Sequence, residues 1–164
     1  AGRAAAAHVT EVLGWLLVGG AEAASSPALL KRLDVGFVLN CSDRVPFASQ
    51  ATCNLRVRLR DAPSEQLAPQ LPQAFAFLDQ AKAGGSRCLV HCLAGTSRSP
   101  AVVLAYLVTR EKWDLAGAWA LLRTRRPTAR PNRGFAQQLI GLDCEAHGGA
   151  SLTLADFGYD ADNA

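Results

Sequence analysis

The stretch CLVHCLAGTSRSPAVVLAYLV, residues 88–108, decides both the fold and the candidate site. Its first four residues, 88–91, form an apolar run that is typical of a short buried strand. Pro100 is a residue type found in the first turn of helices, and the apolar residues after it predict a helix running to about Glu111. The loop CLAGTSRS therefore joins the carboxyl end of a strand to the amino end of a helix.

This loop is predicted to bind a phosphate group. The first backbone N–H groups of a helix have no partner within it, and the helix dipole adds positive potential at the same end. Gly95 allows the backbone to curl so that successive amides face one centre, and Arg98 adds a fork of donors that matches two phosphate oxygens. The nucleotide-binding pattern G-x-x-x-x-G-K-[ST] does not occur in the loop. The expected substrate-binding groups are the backbone amides of Leu93, Ala94, Gly95, Thr96 and Ser97.

Cys92 is the predicted nucleophile. A helix N-terminus and a nearby arginine favour the thiolate form of a cysteine, and this thiolate would face a phosphorus atom bound in the loop. A free cysteine is more often a buried, inert thiol, and that alternative holds for Cys92 taken alone. The spacing of Gly95, Arg98 and Ser99 before a helix start favours the nucleophile.

Asp61 is the predicted general acid. Attack by a thiolate expels an alkoxide or phenolate, whose oxygen a carboxylic acid must protonate. The same group, once ionised, can activate the water that hydrolyses the phosphocysteine. Asp61 follows a predicted strand in the turn-like stretch RDAPSEQL, which suits a mobile loop. Asp43, at the end of another predicted strand, is the competitor, and a surface aspartate that opens a turn is the alternative for both residues.

The rest of the chain alternates predicted strands and helices. Strands are predicted at 11–18, with a tight turn at Gly19-Gly20, and at 35–40 and 55–59. Helices are predicted from Pro27 behind a cap at Ser25 or Ser26, and at 67–83, 115–123 and 134–145. This alternation predicts an α/β domain with a central, mostly parallel sheet flanked by helices. The predicted division is a catalytic domain at 9–147 and an acidic C-terminal tail at 148–164.

Length and composition suit a single globular domain. The chain has 164 residues, of which 49% are hydrophobic and 19% charged. The formal net charge of +3 hides an asymmetry, because residues 148–164 contain Asp156, Asp160 and Asp162 but no Lys or Arg. The remaining, more basic part suits an anionic partner such as nucleic acid, a phosphoprotein or an acidic lipid. Arginines are densest in RTRRPTARPNR, residues 123–133.

The cysteines predict neither a disulfide framework nor a zinc site. The five residues are widely spread and form no CxxC pair. Reduced thiols, no metal and no cofactor are therefore expected. The longest apolar stretch, residues 12–21, is too short to span a bilayer, and the small residues at 4–7 do not form the apolar core of a secretory signal. The expected location is the cytoplasm or the nucleus.

The motifs identify a family by resemblance. HCLAGTSRSPAVVLAYLV, residues 91–108, resembles the signature His-Cys-x5-Arg-Ser of the dual-specificity protein phosphatases, most closely the MAP-kinase-phosphatase-like and small atypical members. Similarity extends from about residue 9 to 147, although Gly14 stands where many relatives have Pro. Three further segments are similar to the family's opening strand, its second core strand and its Pro-Asn-x-x-Phe segment: 12–24, 33–43 and 126–139. The resemblance implies a single protein-tyrosine-phosphatase-like domain.

The resemblance also implies roles for individual residues. The family's general acid lies at the position of Asp61, a few residues after a strand. Ser99 is expected to hydrogen-bond the sulfur of Cys92 and to ease its departure in the second step, with a simple helix cap as the alternative. His91 is expected to order the loop rather than to act as a base, since a thiolate needs none. Asn132 resembles the family asparagine that braces the loop.

Cys41 is a candidate redox partner of Cys92. It ends a predicted strand that should lie beside the strand leading to Cys92, and some relatives use a cysteine there to trap an oxidised nucleophile. The alternative is a buried core thiol. A reversible Cys41–Cys92 disulfide is therefore a hypothesis.

The resemblance implies hydrolysis of phosphotyrosine and phosphoserine/phosphothreonine in a phosphoprotein. Phosphoinositide-directed relatives tend to carry lysines in the loop, and RNA-directed relatives also differ there, whereas this loop is neutral apart from Arg98. No nucleic-acid partner is expected. The alternatives are a phosphoprotein-binding module with little activity, or a phosphoinositide- or RNA-directed phosphatase. A rhodanese-type sulfurtransferase fits the upstream Asp and the Arg-Ser-Pro helix start poorly. Segment 123–133 is either an attractor of acidic phosphopeptides or a solvated loop.

Overall fold

Five strands form one sheet in the order β1-β2-β5-β3-β4. A computed structural model describes residues 8–50 and 52–160. The small residues at 4–7 and the last four residues of the predicted tail lie outside this described part. The strands are β1 Thr10–Leu13, β2 Leu16–Gly19, β3 Val35–Asn40, β4 Cys53–Arg56 and β5 Arg87–His91. The pair β1 and β2 is antiparallel and the other neighbours are parallel, so the expected mostly parallel central sheet is confirmed.

Helices connect and flank the strands. They are α1 Ala21–Ala24, α2 Pro27–Arg32, α3 Leu71–Ala83, α4 Arg98–Thr109, α5 Leu115–Arg125 and α6 Arg133–His147, and a 3₁₀ turn follows at Leu154–Phe157. Side-chain oxygens cap three of these helices, because Ser26, Asp114 and Asn132 each accept a hydrogen bond from an N–H in the first turn. None of the helices in the described ranges is long and apolar enough to cross a membrane.

The first predicted strand is wrong in its extent. The sequence predicts one strand over 11–18 with a turn at Gly19-Gly20, but the structure has a hairpin that reverses at Gly14-Trp15. Leu13 and Leu16 pair directly across this two-residue turn. A continuous apolar pattern hid the reversal, because both strands of the hairpin bury side chains in the core.

Two other boundaries differ from the prediction. Strand β4 ends at Arg56, before the predicted end at 59, although Val57 and Leu59 remain buried. Helix α3 begins at Leu71 rather than 67, because residues 67–70 form a separate turn in which the Gln70 N–H bonds the Leu67 carbonyl. The end of α3 before Gly84 is as predicted.

Strand β5 and helix α4 form the centre of the domain. β5 lies between β2 and β3, and α4 is buried along its whole length from Ser99 to Val108. Apolar burial on all sides holds an element firmly, since protein interiors are close-packed. The loop between β5 and α4 is therefore mounted on two largely buried elements of the fold.

Candidate active site

Gly95 gives the loop its curvature. Its φ angle is 68°, a left-handed conformation that favours glycine. A Cβ at this position would also lie 2.7 Å from the Gly19 carbonyl oxygen and would overlap the guanidinium of Arg126. The tight curl therefore requires glycine both for its backbone conformation and for the space around it.

Cys92 lies at the floor of the loop beside Ser99. The two residues are 2% and 0% exposed, and Cys92 Sγ lies 3.2 Å from Ser99 Oγ. Ser97, rather than Ser99, occupies the N-cap position of α4. The Ser99 hydroxyl is thus placed to donate a hydrogen bond to a thiolate at Cys92.

Arg98 lies at the rim of the same loop. Its side chain is 12% exposed, and its Nη1 donates to the Leu59 carbonyl at 3.3 Å. Asp43, the competing candidate for the general acid, lies 4.0 Å from Arg98 Nη1. The Leu59 carbonyl thus holds the guanidinium of Arg98, and Asp43 is a weak, half-exposed ion-pair partner.

Asp61 is exposed and is held by Asn132. Asp61 Oδ1 accepts a hydrogen bond from Asn132 Nδ2 at 3.0 Å. The Oδ1 atom of Asn132 caps α6 by accepting from the Phe135 N–H, and the Asn132 backbone N–H donates to Ser97 Oγ at 2.8 Å. One asparagine therefore connects the candidate acid, the catalytic loop and the start of α6.

The segment around Asp61 also contacts α6. Gln138 donates to the Glu65 carbonyl and accepts from the Leu67 N–H, each at 2.8 Å. A Cβ at Gly134 would overlap the carbonyl of Pro63, so glycine permits close approach of this segment to the first turn of α6. These contacts show that α6 restrains the loop on both sides of Glu65, a restraint that the turn-like sequence did not indicate.

Arg126 contacts the loop directly, although in the sequence it is only one of the clustered arginines of segment 123–133. It is 6% exposed, and its Nε donates to the Gly95 carbonyl at 2.8 Å. The two other nitrogens bond the Ala94 carbonyl and Thr10 Oγ1. Burial lowers the pKa of Arg126, and the charge of Cys92 opposes that shift. The guanidinium thus holds two successive carbonyls of the loop, those of Ala94 and Gly95.

His91, expected to order the loop, contacts it from the strand side. Its ring is 1% exposed, and Nδ1 lies 3.1 Å from the Cys92 carbonyl oxygen. Burial lowers the pKa of His91, which favours the neutral ring, while the contact with Cys92 opposes this shift. Because a carbonyl oxygen accepts only, Nδ1 carries the proton in this contact.

Cys41 lies beside Cys92 on the neighbouring strand end. Asn40 on β3 pairs with His91 on β5, and the Cys41 N–H donates to the His91 carbonyl at 2.8 Å. Neighbouring strands are about 4.8 Å apart, which falls within the Cα separation that a disulfide needs. Burial raises the pKa of the Cys41 thiol, and the charges of Cys92 and Cys88 raise it further. The redox role of Cys41 stays a prediction.

An open cavity borders the outer face of the loop. It has a volume of about 550 Å³, and Leu93, which is 63% exposed, contributes to its lining. The other lining residues are His8, Gly20, Glu22, Ala94, Thr96, Arg126 and Thr128. Cys92, Arg98 and Asp61 do not line this cavity, so it adjoins the loop without containing the candidate catalytic groups.

The fold and this site define a class of protein, the cysteine-dependent phosphatases with a phosphate-binding loop. The family model of the dual specificity phosphatase catalytic domain matches residues 16–144. The chain belongs to this family. It resembles mouse dual specificity protein phosphatase 19, with 34% identity over 146 residues that cover 87% of this chain and 66% of the relative.

Solved structures give the same family. Human DUSP28 aligns with a TM-score of 0.78 and 34% identity over 82% of this chain and 92% of that structure. A mouse putative dual specificity phosphatase complexed with zinc tungstate aligns with a TM-score of 0.80 and 33% identity, covering 85% and 89% of the two chains. This chain spans 18% to 66% of the length of the first curated relatives that it matches.

Proposed function

We propose that this chain hydrolyses phosphotyrosine and phosphoserine/phosphothreonine in proteins through a phosphocysteine intermediate. The observation that carries the proposal is the 3.2 Å contact between Cys92 Sγ and Ser99 Oγ at the floor of the loop that ends in Arg98. The mouse relative was solved as a complex with zinc tungstate, and because tungstate is a tetrahedral oxyanion like phosphate, this supports the proposal that the present chain binds an oxyanion.

In the first step the Cys92 thiolate attacks the phosphorus. The S–P bond forms as the bond from phosphorus to the leaving oxygen breaks. Loop amides and the Arg98 guanidinium stabilise the negative charge on the other phosphate oxygens. Asp61, in its protonated form, donates its proton to the leaving oxygen, so the alcohol or phenol departs neutral.

In the second step water hydrolyses the phosphocysteine. The Asp61 carboxylate takes a proton from water as the water oxygen attacks phosphorus. The S–P bond breaks, and the departing sulfur recovers its electron pair as a thiolate. The Ser99 hydroxyl, already beside Sγ, stabilises that charge by donating a hydrogen bond.

A phosphoprotein is the proposed substrate class. Inside the loop the side chains between Cys92 and Arg98 are neutral, so the loop itself offers no lysine for a second phosphate of an inositol ring. Exposed Leu93 and the adjoining cavity suit the side chains that flank a phosphorylated residue in a peptide.

Nucleic acid is not proposed as a partner, because much of the basic segment 123–133 is engaged within the chain. Arg126 holds the catalytic loop, and Arg125 donates to the carbonyls of Glu11 and Val12. Arg130 and Arg133 also donate to backbone carbonyls elsewhere in the chain.

The proposed location, in the cytoplasm or nucleus, is supported by five unpaired cysteines, which suit a reducing compartment.

Turnover assays with wild type and Cys92→Ser test the proposal. Wild type should hydrolyse p-nitrophenyl phosphate and a phosphotyrosine peptide in the presence of EDTA. Cys92→Ser should lose at least about 10⁴-fold in kcat, since it removes the nucleophile, and its unchanged melting temperature would show that it folds. An inactive wild type would refute the proposal, and activity restricted to phosphoinositides or RNA 5′-triphosphate would replace the substrate class. If the proposal holds, phosphoproteins captured on Cys92→Ser would identify the substrates that it binds.

A further inference from the structure

The described C-terminal residues 148–160 pack onto the domain. Phe157 is 1% exposed, and its ring centroid lies 4.7 Å from that of Trp119 on α5. Ser151 donates from both its N–H and its hydroxyl to Asp143 on α6. These two anchors fix both the start and the middle of the C-terminal segment, the name used here for residues 148–160.

The end of the C-terminal segment contacts the loop before α6. Tyr159 is half-buried, and its hydroxyl donates to the Pro131 carbonyl at 2.8 Å. The Arg130 guanidinium lies over the Tyr159 ring, 4.5 Å from its centroid, and donates to the Gly158 carbonyl at 2.9 Å. Arg133 adds a hydrogen bond to the Asp160 carbonyl at 2.8 Å. Four contacts thus join two short stretches, 158–160 and 130–133.

The stretch that receives these contacts touches the catalytic loop directly. The Arg130 N–H donates to the Thr96 carbonyl at 2.7 Å, and the Asn132 N–H donates to Ser97 Oγ at 2.8 Å. The Asn132 side chain also holds Asp61 at 3.0 Å. The Tyr159 hydroxyl binds the Pro131 carbonyl, and the residues on either side of Pro131 bind the phosphate-binding loop. Asn132, one of these two neighbours, also binds Asp61. Hydrogen bonds and the short segment 130–132 therefore connect Tyr159 with both the phosphate-binding loop and the candidate acid.

We propose that Tyr159 and Arg130 form a clasp through which the C-terminal segment positions both the catalytic loop and Asp61. Tyr159 is a positioning residue for the phosphatase reaction, and the inference rests on the function proposed above. Without the clasp, residues 130–132 would sample more conformations, and Asp61 would spend less time oriented toward the leaving oxygen.

The clasp predicts a change in the relative turnover of two substrates, which a purely structural role of Tyr159 would not cause. p-Nitrophenolate is a good leaving group that departs with little protonation, whereas the phenolate of phosphotyrosine depends on the general acid. Loss of acid positioning should therefore lower turnover of a phosphotyrosine peptide more than turnover of p-nitrophenyl phosphate. Loss of folded protein would lower both by the same factor.

The experiment compares Tyr159→Ala, Tyr159→Phe and the matched control Tyr106→Phe. Tyr106 also donates a hydrogen bond through its hydroxyl, to Asp79 on α3 at 2.8 Å rather than to the loop before α6. For Tyr159→Ala we expect kcat on the phosphotyrosine peptide to fall roughly tenfold and kcat on p-nitrophenyl phosphate roughly threefold. Tyr159→Phe should give a smaller change in the same direction, since the ring remains on Arg130. Tyr106→Phe should leave the ratio of the two rates unchanged.

Amide hydrogen exchange separates this inference from the proposed function. Peptides that contain residues 93–98 and 130–133 should exchange faster in Tyr159→Ala than in wild type, with no such change in Tyr106→Phe. An unchanged rate ratio together with unchanged exchange would overturn the clasp. A wild type without phosphatase activity would refute the proposed function, while the exchange data would still decide whether the clasp holds the loop. Tyr159→Phe, which preserves the ring and its packing, provides the comparison if Tyr159→Ala is poorly folded.

Discussion

The contacts on the two sides of the catalytic loop differ in chemical character. On one side β5 and α4 are contiguous in sequence with the loop, buried and mainly apolar. On the other side lie residues 126–133 and the C-terminal segment, which contact the loop, Asp61 or one another largely through arginine, asparagine and tyrosine side chains that donate to oxygens. The comparison teaches that the predicted nucleophile is placed by burial, whereas the candidate acid is placed by polar contacts that lie nearer to solvent.

The largest expected effect tests the acid on the polar side. Asp61→Asn should lower kcat on a phosphotyrosine peptide by about 100-fold or more, because general acid catalysis contributes 10²- to 10⁴-fold. Asp43→Asn is the control, since Asp43 lies near Arg98 at 4.0 Å in a weak, half-exposed ion pair. Steady-state kinetics on the peptide should show less than about a threefold change for this control. A larger loss in Asp43→Asn than in Asp61→Asn would reverse the assignment.

The next effect tests the buried part of the polar side. Arg126→Ala should lower kcat/KM roughly 10- to 100-fold, because it frees the Gly95 and Ala94 carbonyls and disturbs the loop amides. It should also reduce the free energy of unfolding by about 2 kcal/mol. Arg123→Ala, in the last turn of α5 just before Arg126, is the matched control, since Arg123 is exposed and lies over Trp119 instead of the loop. Equal kinetic losses in both variants would contradict a specific role for Arg126.

A smaller effect concerns the anchor of the C-terminal segment and depends on pH. Burial alone would raise the pKa of Asp143, but hydrogen bonds from Ser151 and from the Leu115 N–H outweigh it and lower the pKa. A carboxyl whose pKa is lower in the folded state than in the unfolded state, where it is about 3.9, stabilises the fold above that pH. This stabilisation disappears as the pH falls through the folded-state pKa.

Asp143→Asn should therefore destabilise the protein in a pH-dependent manner. Urea unfolding at pH 7 should show a loss of about 2 kcal/mol relative to wild type, since hydrogen bonds to a charged acceptor are removed. The difference should shrink below about pH 4, as wild type itself becomes protonated. A difference that stays constant between pH 7 and pH 3 would show that the charge of Asp143 contributes nothing.

The last prediction concerns the apolar side of the loop, where a Cys41–Cys92 disulfide should form only under oxidising conditions. Peroxide should oxidise the Cys92 thiolate to a sulfenic acid, and the Cys41 sulfur should then attack it, forming a disulfide and releasing water. Mass spectrometry of peptides from peroxide-treated protein should detect the Cys41–Cys92 cross-link and its loss in Cys41→Ser. The pKa of Cys41 is raised by burial, so we expect slow formation. Peroxide-treated wild type without this cross-link would exclude the redox hypothesis, and Cys53→Ser serves as the control.

The sequence could predict the apolar side well because its signals are local. A strand, a glycine loop and a helix follow one another within residues 88–108, so the positions of Cys92, Arg98 and Ser99 come from one continuous pattern. The hairpin at Gly14-Trp15 was missed, because a continuous apolar pattern does not reveal a reversal between two strands that share one core.

The polar side was less predictable for a physical reason. The partners of Arg126 are backbone carbonyls about thirty residues away, and every residue type has such a carbonyl. The sequence therefore shows an arginine but not its acceptor. The same holds for Tyr159 and Pro131, and the sequence left open whether residues 148–164 contact the domain. The aromatic residues Phe157 and Tyr159, close behind Leu152 and Leu154, were the available signal for packing.

The two side-chain contacts of Asn132 restrict which amino acids could replace it. Its oxygen must accept from the Phe135 N–H while its nitrogen donates to Asp61. Aspartate would keep the cap but set two carboxylates against each other; serine would keep the cap but has a single polar atom and a shorter reach. Glutamine has both atoms on a chain one methylene longer and is a poor N-cap. The boundary of one helix and the orientation of one proton donor thus depend on a single amide, and neither can be changed at this position without the other.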